Sequence, residues 1–236
     1  MEIGDLIHRA ALAYGDDIAL VDEQRQMSFR QLDVATDRVG HGLLQSGLRA
    51  GDRVAVILKQ SIDSVVAYYA LAKAGLVRVP LNTRETQDDH AYKIQDSGAV
   101  AVLSDLDLAP KAEQVISLQD LQRMEATAHS TPCRSGRGLD DLYRLAYTGG
   151  TTGKPKGVML TTGIELAEIS NFLIDVLPDL KRGDTMLHGA PVTHGSGGFL
   201  LPHLMRGARN VILPRFDPEQ FIEALEREQA TATFLV

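Results

Sequence analysis

Helical and strand patterns alternate along most of the chain, and this alternation limits the fold more than any other feature. Ser28 and Gln31 have the spacing of a capping box at the start of a helix, and Gly47 is placed to end that helix. The next apolar run, from Arg53 to Leu58, is typical of a strand covered on both faces. Strands of this kind, separated by helices, predict an α/β protein with layered, largely parallel sheets and helices packed on both faces.

The alternation continues beyond this first pair. The segments "SVVAYYALAKAG" and "DDHAYKIQDSG" predict helices, and the apolar segments "VRVPLN" and "AVAVL" that follow them predict strands. A polar stretch from His129 to Gly138 predicts a long surface loop. Asp217 and Pro218 then predict the start of a further helix. The chain ends in "TATFLV", which has the pattern of a buried strand, so we expect a piece of a longer protein.

Charge and composition argue against several classes of protein. The formal net charge is -7, so the chain has no basic surplus to neutralise nucleic acid. No apolar run approaches the ~18 residues of a membrane span, and Glu2 and Asp5 do not fit a secretory signal. Cys133 is the only cysteine, which excludes a disulfide framework within the chain. We expect a cytoplasmic protein, with a homodimer as one allowed state.

The stretch "YTGGTTGKPKG", from Tyr147 to Gly157, holds residues that bind rather than pack. Its glycines let backbone N–H groups approach a bound anion, its threonines add hydroxyl donors, and Lys154 and Lys156 add positive charge. Pro155 would stiffen the exit of the loop. These parts predict a polyphosphate cradle, although the glycine spacing fits neither the Walker loop nor the dinucleotide fingerprint. The alternative is a surface hairpin between the strands "YRLAYT" and "GVMLT".

The longer segment "YTGGTTGKPKGVMLT" resembles the phosphate-loop signature of the adenylate-forming enzymes. That family includes acyl-CoA synthetases, aryl-CoA ligases, luciferases and the adenylation domains of peptide synthetases. The residues written as the family writes them are Thr151, Thr152, Gly153, Pro155, Lys156 and Gly157. Gly149 stands where serine is usual. The segments "GDRVAVIL", "AYYALAKAGLVRVPLN", "HAYKIQDSGAVAVL" and "APVTHGSGG" are also similar to the family, apart from Arg78 at a usually small position.

The resemblance implies the N-terminal part of the adenylate-forming enzyme fold. Residues from about 1 to about 130 would form a first subdomain, and those from about 140 to 236 would begin a second. The family's C-terminal domain, with its catalytic lysine, would be absent. The motifs Tyr-Gly-x-Thr-Glu and Thr-Gly-Asp are also missing from these residues. We therefore expect the 236 residues alone to be inactive in adenylation.

The resemblance also implies an activity and its cofactors. Family members join a carboxylate to ATP with the help of Mg²⁺, release pyrophosphate, and mostly pass the acyl group to coenzyme A. The residues that would grip the β- and γ-phosphates are Thr148, Gly149, Gly150, Thr151, Thr152, Gly153, Lys154, Pro155 and Lys156. Either Thr151 or Thr152 would lie near the metal. The full-length protein would then be an ATP-dependent, AMP-forming acid–thiol ligase.

His194 lies where the family places a residue between the acyl pocket and the reacting carboxylate, which makes it the candidate catalytic residue. The alternative is a structural histidine, bonded to backbone in a tight turn. His188 and His203 do not complete a zinc site with it, because spacings of six and nine residues fit no usual ligand pattern.

The apolar segment "SGGFLLPHLMRG" would line the acyl pocket and favours a fatty acid, although plain core packing explains the same residues. The chain would thus be most like a fatty-acid CoA ligase. An aryl-CoA ligase or a peptide-synthetase adenylation domain is the alternative, but the aspartate that would hold an amino-acid ammonium is missing after His194. A non-catalytic phosphate-binding module is the alternative from another class. The acid and the acceptor thiol stay open.

Overall fold

A computed structural model describes residues 2–106, 112–148 and 154–235. The strands are β1 (Ile18–Val21), β2 (Gln26–Ser28), β3 (Arg53–Ile57), β4 (Val77–Pro80), β5 (Ala101–Ser104), β6 (Gln114–Ser117), β7 (Leu142–Thr148), β8 (Lys156–Thr161), β9 (Thr185–His188), β10 (Arg209–Ile212) and β11 (Ala232–Thr233). The α-helices are α1 (Ile3–Tyr14), α2 (Phe29–Gln45), α3 (Ile62–Lys73), α4 (Gln87–Ser97), α5 (Leu118–Thr127), α6 (Thr162–Asn171), α7 (Leu200–Met205) and α8 (Pro218–Arg227). A π-helical turn follows at Phe172–Val176, and a 3₁₀ helix lies at Gly195–Phe199.

The helix starts predicted from sequence are confirmed. Ser28 accepts the backbone N–H of Gln31 at 3.2 Å, and the Gln31 side chain accepts the backbone N–H of Ser28 at 2.8 Å. This reciprocal pair satisfies two N–H groups that the first turn of α2 leaves without helical partners. Asp217 caps α8 by accepting the N–H of Gln220 at 3.1 Å, with Pro218 as the first helical residue.

The strands form two sheets that are parallel except at one edge of each. The six-stranded sheet has the order β6-β5-β3-β4-β7-β8, and only β8 runs antiparallel to its neighbour. The five-stranded sheet has the order β11-β9-β10-β1-β2, and only β2 runs antiparallel. The prediction of an α/β protein with largely parallel sheets is confirmed.

Helices cover both faces of each sheet, as predicted. α3 is apolar on nearly every side and packs with α1 and α2 in a core cluster that also contains Leu20 of β1 and Val54 of β3, one strand from each sheet. A second cluster, with Ile94 of α4, covers the other face of the six-stranded sheet. A third, with Phe221 of α8, covers the other face of the five-stranded sheet. A helical layer thus separates the two sheets.

Both sheets combine residues from the two ends of the described chain. β1 pairs with β10, although some 190 residues separate Leu20 from Asn210 in the sequence, and β7 joins the sheet formed by β3, β4 and β5. The sheets therefore do not divide the chain near residues 130–140, where the sequence predicts a change of subdomain. That boundary stays a prediction.

The polar segment at 129–138 is an irregular connection, as predicted, and it is anchored to the first helices. The buried Cys133 donates its backbone N–H to Asp37 at 2.9 Å. Ser135 donates its hydroxyl to Glu2 at 2.9 Å.

Within the described ranges, no helix has both the length and the apolar character needed to cross a bilayer.

Candidate active site

The glycine-rich stretch joins two paired strands at one edge of the six-stranded sheet. Across the β7–β8 hairpin, Tyr147 pairs with Gly157 and Thr148 with Lys156. The incoming and outgoing residues of the predicted phosphate loop are therefore held side by side. Five of its predicted ligands, Gly149, Gly150, Thr151, Thr152 and Gly153, lie outside the described residues.

Helix α4 packs against this hairpin from the side. Tyr147 donates its hydroxyl to the Asp96 carboxylate at 2.6 Å, and partial burial together with that carboxylate raises the pKa of Tyr147. Tyr92 donates its hydroxyl to the carbonyl oxygen of Pro155 at 3.2 Å. The ammonium of Lys154 lies 5.1 Å from the centre of the Tyr92 ring, within cation–π range. Both ends of the loop are thus tied to one helix.

The two lysines of the loop remain accessible. Lys154 and Lys156 are exposed, and among the described residues no carboxylate forms an ion pair with either of them. Cations without a protein counter-charge attract anions. The described part of the loop therefore offers positive charge to an anion, and the polyphosphate cradle stays a prediction.

His194 lies in the turn between β9 and the 3₁₀ helix, and its side chain is exposed. Its Nδ1 lies 2.8 Å from the hydroxyl oxygen of Thr193. Its backbone N–H donates to Pro191 at 3.1 Å, and its carbonyl accepts from Gly197 at 2.9 Å. The backbone is thus held in a tight turn, whereas the imidazole faces solvent rather than a backbone group.

The other two histidines of this region are buried. His188 lies between Ser196 and Asn210, with ring nitrogens 2.7 and 2.9 Å from their oxygen atoms. Burial lowers the pKa of His188 to about 4. His203 donates its Nδ1–H to the carbonyl oxygen of Phe199 at 2.7 Å, and burial also lowers its pKa. Both rings are therefore neutral near pH 7 and bonded within the fold.

The segment predicted to line an acyl pocket mostly fills the core. Leu200, Leu201 and Leu204 are 2%, 4% and 0% exposed and belong to the main hydrophobic cluster. The core-packing alternative is therefore correct for these three leucines. Phe199 is only partly buried, and its ring lies 4.9 Å from that of Phe172 and 5.4 Å from that of Phe234, centre to centre.

An open, mainly apolar groove of about 470 Å³ lies beside these aromatic rings. Its walls come from α6 and the following π-helical turn: Ile164, Ala167, Glu168, Asn171, Phe172, Asp175 and Val176. Phe172 belongs both to the groove and to the contact with Phe199, which ends the 3₁₀ helix after His194. The pattern of residues 164–176 does not by itself predict this surface, although exposed apolar side chains on a helix are a usable signal for one.

Arg144 and Arg78 occupy paired positions of the neighbouring strands β7 and β4. Arg144 pairs with Glu165 at 3.0 Å and with Glu168 at 3.4 Å, which ties α6 to β7. Burial raises the pKa of Glu165. The buried guanidinium of Arg78 lies 4.3 Å from the centre of the Tyr68 ring, so an aromatic face accommodates the charge at this unusual position.

A further cavity lies elsewhere, between β2, α2 and α5. It measures about 560 Å³ and includes Arg25, Arg38 and Glu125 in its walls. None of its residues belongs to the glycine-rich stretch or to the turn at His194. Size alone therefore does not identify the functional site in this protein.

The fold and the hairpin together define an α/β protein in which a glycine-rich stretch joins two strands at a sheet edge. The chain belongs to the AMP-binding enzyme family, whose sequence model matches residues 7–236. The sequence resemblance to adenylate-forming enzymes is thereby confirmed.

Named relatives and solved structures agree with this assignment. A 2-succinylbenzoate–CoA ligase of Bacillus cereus (strain ATCC 14579) is 29% identical over 232 residues, which are 98% of this chain and 47% of that protein. The O-succinylbenzoate coenzyme A synthetase of Bacillus subtilis, in complex with ATP and magnesium ion, has a TM-score of 0.86 at 25% identity, over 97% of this chain and 62% of that one.

The fold is also shared with enzymes named for fatty acids. A long-chain-fatty-acid-CoA ligase of Archaeoglobus fulgidus has a TM-score of 0.91 at 24% identity, over 99% of this chain and 51% of that one. The predicted N-terminal part of the adenylate-forming fold is therefore confirmed. The chain spans about half the length of the curated relatives it matches.

Proposed function

We propose that this chain is the N-terminal part of an ATP-dependent, AMP-forming acid–thiol ligase. The whole protein would join a carboxylic acid to the α-phosphate of ATP, release pyrophosphate, and transfer the acyl group to coenzyme A. The observation that carries this proposal is the β7–β8 hairpin: it presents the family's phosphate-loop sequence with Lys154 and Lys156 exposed and free of carboxylate partners among the described residues.

The hairpin residues would bind the leaving group. An anionic carboxylate attacks an anionic phosphorus centre, so donors and cations fixed beforehand lower the repulsion in the transition state. Thr148, Lys154 and Lys156 would hold the β- and γ-phosphates together with the backbone N–H groups of residues 149–153. Bound Mg²⁺ would supply further charge neutralisation, with Thr151 or Thr152 as its nearest side chain from this chain.

His194 would orient the carboxylate. Its imidazole is exposed on a turn whose backbone is fixed by bonds to Pro191 and Gly197. The Thr193 hydroxyl at Nδ1 holds the ring, which leaves the Nε2 edge for a substrate oxygen. A hydrogen bond at that edge would set the direction from which the carboxylate meets the phosphate.

The substrate would be an aromatic carboxylic acid, in place of the fatty acid that the sequence favours. Two observations support this choice. The leucines that suggested an apolar acyl pocket fill the core, whereas Phe172, Phe199 and Phe234 form an aromatic group beside the 3₁₀ helix. The B. cereus relatives are named for 2-succinylbenzoate, an aromatic acid.

The experiment is carboxylate-dependent exchange of pyrophosphate into ATP by the product of the complete gene. A panel should include benzoate derivatives, 2-succinylbenzoate, and fatty acids of medium and long chain. Exchange that is strongest with aromatic acids supports the proposal, exchange with fatty acids alone overturns the substrate choice, and no exchange with any acid overturns the ligase. The 236-residue chain, tested in parallel, should show none.

The second candidate is a non-catalytic phosphate-binding module, for which the hairpin and its two exposed lysines would serve equally well. Reading the gene beyond Val236 separates the two candidates. A Tyr-Gly-x-Thr-Glu segment downstream supports the ligase. A stop codon at that point, with ATP binding retained, supports the module.

A further inference from the structure

A buried chain of three side chains fixes the turn that carries His194. Ser196 lies in the 3₁₀ helix, His188 ends β9, and Asn210 lies in β10. All three residues are 0% exposed. The His188 ring bonds to both of the others, at 2.7 Å to the Ser196 hydroxyl and at 2.9 Å to the Asn210 amide oxygen.

The protonation of this chain follows from its surroundings. Asn210 turns its amide nitrogen toward the carbonyl oxygen of Leu200, at 3.5 Å, so its oxygen is the acceptor for His188. The neutral imidazole therefore carries its proton on Nε2, and Nδ1 accepts the hydroxyl proton of Ser196. Each polar group inside this site then has a partner, which buried polar groups require.

The bond between His188 and Ser196 closes a short loop. The two residues are eight positions apart in the sequence, and Pro191 and His194 lie between them. Ser196 is two residues after His194, so a shift of the backbone at Ser196 would also displace the His194 imidazole.

Two further contacts hold the same loop from other sides. The Gln60 side chain accepts the N–H of Val192 at 2.9 Å and donates to the carbonyl oxygen of His188 at 3.2 Å. A Cβ on Gly197 would lie 2.0 Å from the carbonyl oxygen of Val192, so only glycine permits this approach. The loop is thus fixed at several points. Among these contacts, the bond from the Ser196 hydroxyl to the His188 ring connects the loop to a side chain of β9.

We propose that Ser196 and His188, supported by Asn210, are positioning residues for His194 in the adenylation step. This inference rests on the ligase proposed above. The bond from Ser196 to His188 holds the 3₁₀ helix against β9 and thereby fixes the direction of the His194 ring. Misplacement of a reacting group by about 1 Å can cost on the order of 100-fold in rate. Loss of the bond therefore lowers turnover with carboxylate, whereas the phosphate loop, on another sheet, is unaffected.

The two bonds of His188 can be removed separately. Asparagine at this position places a polar atom where Nδ1 was and can keep the bond to Ser196, whereas glutamine places one where Nε2 was and can keep only the bond to Asn210. His188→Asn should therefore retain positioning that His188→Gln loses. Ser196→Ala removes the hydroxyl, and Ser196→Thr restores one. Val39→Ala, at a buried position of α2, is the matched control for a general loss of stability.

The first measurement is pyrophosphate exchange by the complete gene product, with KM determined for ATP and for the carboxylate. We expect kcat/KM for the carboxylate to fall about 10- to 100-fold in Ser196→Ala and His188→Gln, and to stay within about 3-fold of wild type in His188→Asn and Ser196→Thr. KM for ATP should stay within about 2-fold in all four variants. Equal losses in His188→Asn and His188→Gln, or an equal loss in Val39→Ala, would show that the chain of bonds is only structural.

The second measurement needs no activity. Amide hydrogen exchange at residues 194–199 should accelerate at least about 10-fold in Ser196→Ala and His188→Gln and remain unchanged in Val39→Ala. If the wild-type protein shows no pyrophosphate exchange but these amides respond as expected, the ligase proposal fails and the positioning of the turn stands. If the amides do not respond, the positioning role is wrong whatever the activity.

Discussion

Tyr92 of α4 donates its hydroxyl to the carbonyl oxygen of Pro155 at 3.2 Å, and its ring lies under the ammonium of Lys154. One side chain thus holds both the backbone and a cation at the exit of the glycine-rich loop. A helix packed on the six-stranded sheet thereby takes part in shaping the candidate site at the edge of that sheet.

Replacing Tyr92 by phenylalanine should weaken ATP binding modestly. The ring and its contact with Lys154 remain, and only the bond to Pro155 is lost. We expect the Kd for ATP, measured by calorimetry, to rise about 2- to 10-fold. Tyr92→Ala removes the ring as well and should have the larger effect. A Kd unchanged in both variants would show that α4 does not shape the loop.

Removing either lysine charge should weaken ATP binding further. Charge-assisted hydrogen bonds to phosphate contribute about 1.5–3 kcal/mol, so Lys154→Ala and Lys156→Ala should each raise the Kd about 10-fold or more. The exposed Lys181, in the turn before β9, is the matched control. ATP should also protect Lys154 and Lys156, but not Lys181, from amine-modifying reagents. Equal protection of all three lysines would contradict the loop assignment.

The buried imidazole of His188 should make folding sensitive to mild acid. Its pKa is about 4 in the fold and near 6.5 when the chain is unfolded. Between these two pH values the unfolded chain binds more protons than the folded one. The contribution of the neutral His188 to stability is therefore complete above about pH 6.5 and is lost as the pH falls toward 4. The full loss is about 3 kcal/mol.

Urea unfolding at several pH values from 7 to 4 measures this loss. The free energy of unfolding should fall more steeply with acid in the wild type than in His188→Asn, which has no imidazole to protonate. His203 is also buried with a lowered pKa, so His203→Asn is measured in parallel to separate the two rings. Identical pH profiles for wild type and His188→Asn would contradict the assignment of a low pKa to His188.

The sequence predicts those parts of the structure that depend on local pattern. The capping box at Ser28 and the cap at Asp217 are confirmed because each is a contact between residues three apart. The alternation of helices and strands likewise predicts the parallel sheets. The subdomain boundary near residues 130–140 depends instead on strand pairing, and β1 pairs with a strand that lies far along the chain.

In the candidate site, too, residues that are contiguous in the sequence were predictable, whereas contacts between residues far apart in the sequence were not. The phosphate-loop motif is contiguous and is visible in the sequence, whereas Tyr92 reaches it from another helix across 63 residues. The partners of His188 were missed because the pairing with Ser196 spans a turn of eight residues and that with Asn210 crosses to another strand. Apolar character did not show whether Leu200 and Leu204 line a pocket or fill the core, because both environments select leucine.

A buried ammonium should be essential to the packing of the first three helices. Lys73 of α3 lies 2.6 Å from Asp33 and 2.8 Å from Asp37, both on α2, and its side chain is 3% exposed. Asp37 also accepts the backbone N–H of Cys133. Lys73→Ala would leave carboxylates buried without their cation, which typically costs about 3–5 kcal/mol.

The measurement is the free energy of unfolding in urea at pH 7. Lys59→Ala serves as the control because Lys59 is exposed, and its effect should stay below about 0.5 kcal/mol. Lys73→Met keeps the aliphatic part that packs beside Gly4 and should be destabilised nearly as much as Lys73→Ala. The missing charge, rather than the missing volume, removes the buried ammonium that Asp33 and Asp37 share, and Asp33 keeps its contact with His8 at 2.8 Å. If Lys73→Met is as stable as the wild type, the ammonium is dispensable and the aliphatic packing alone stabilises the three helices.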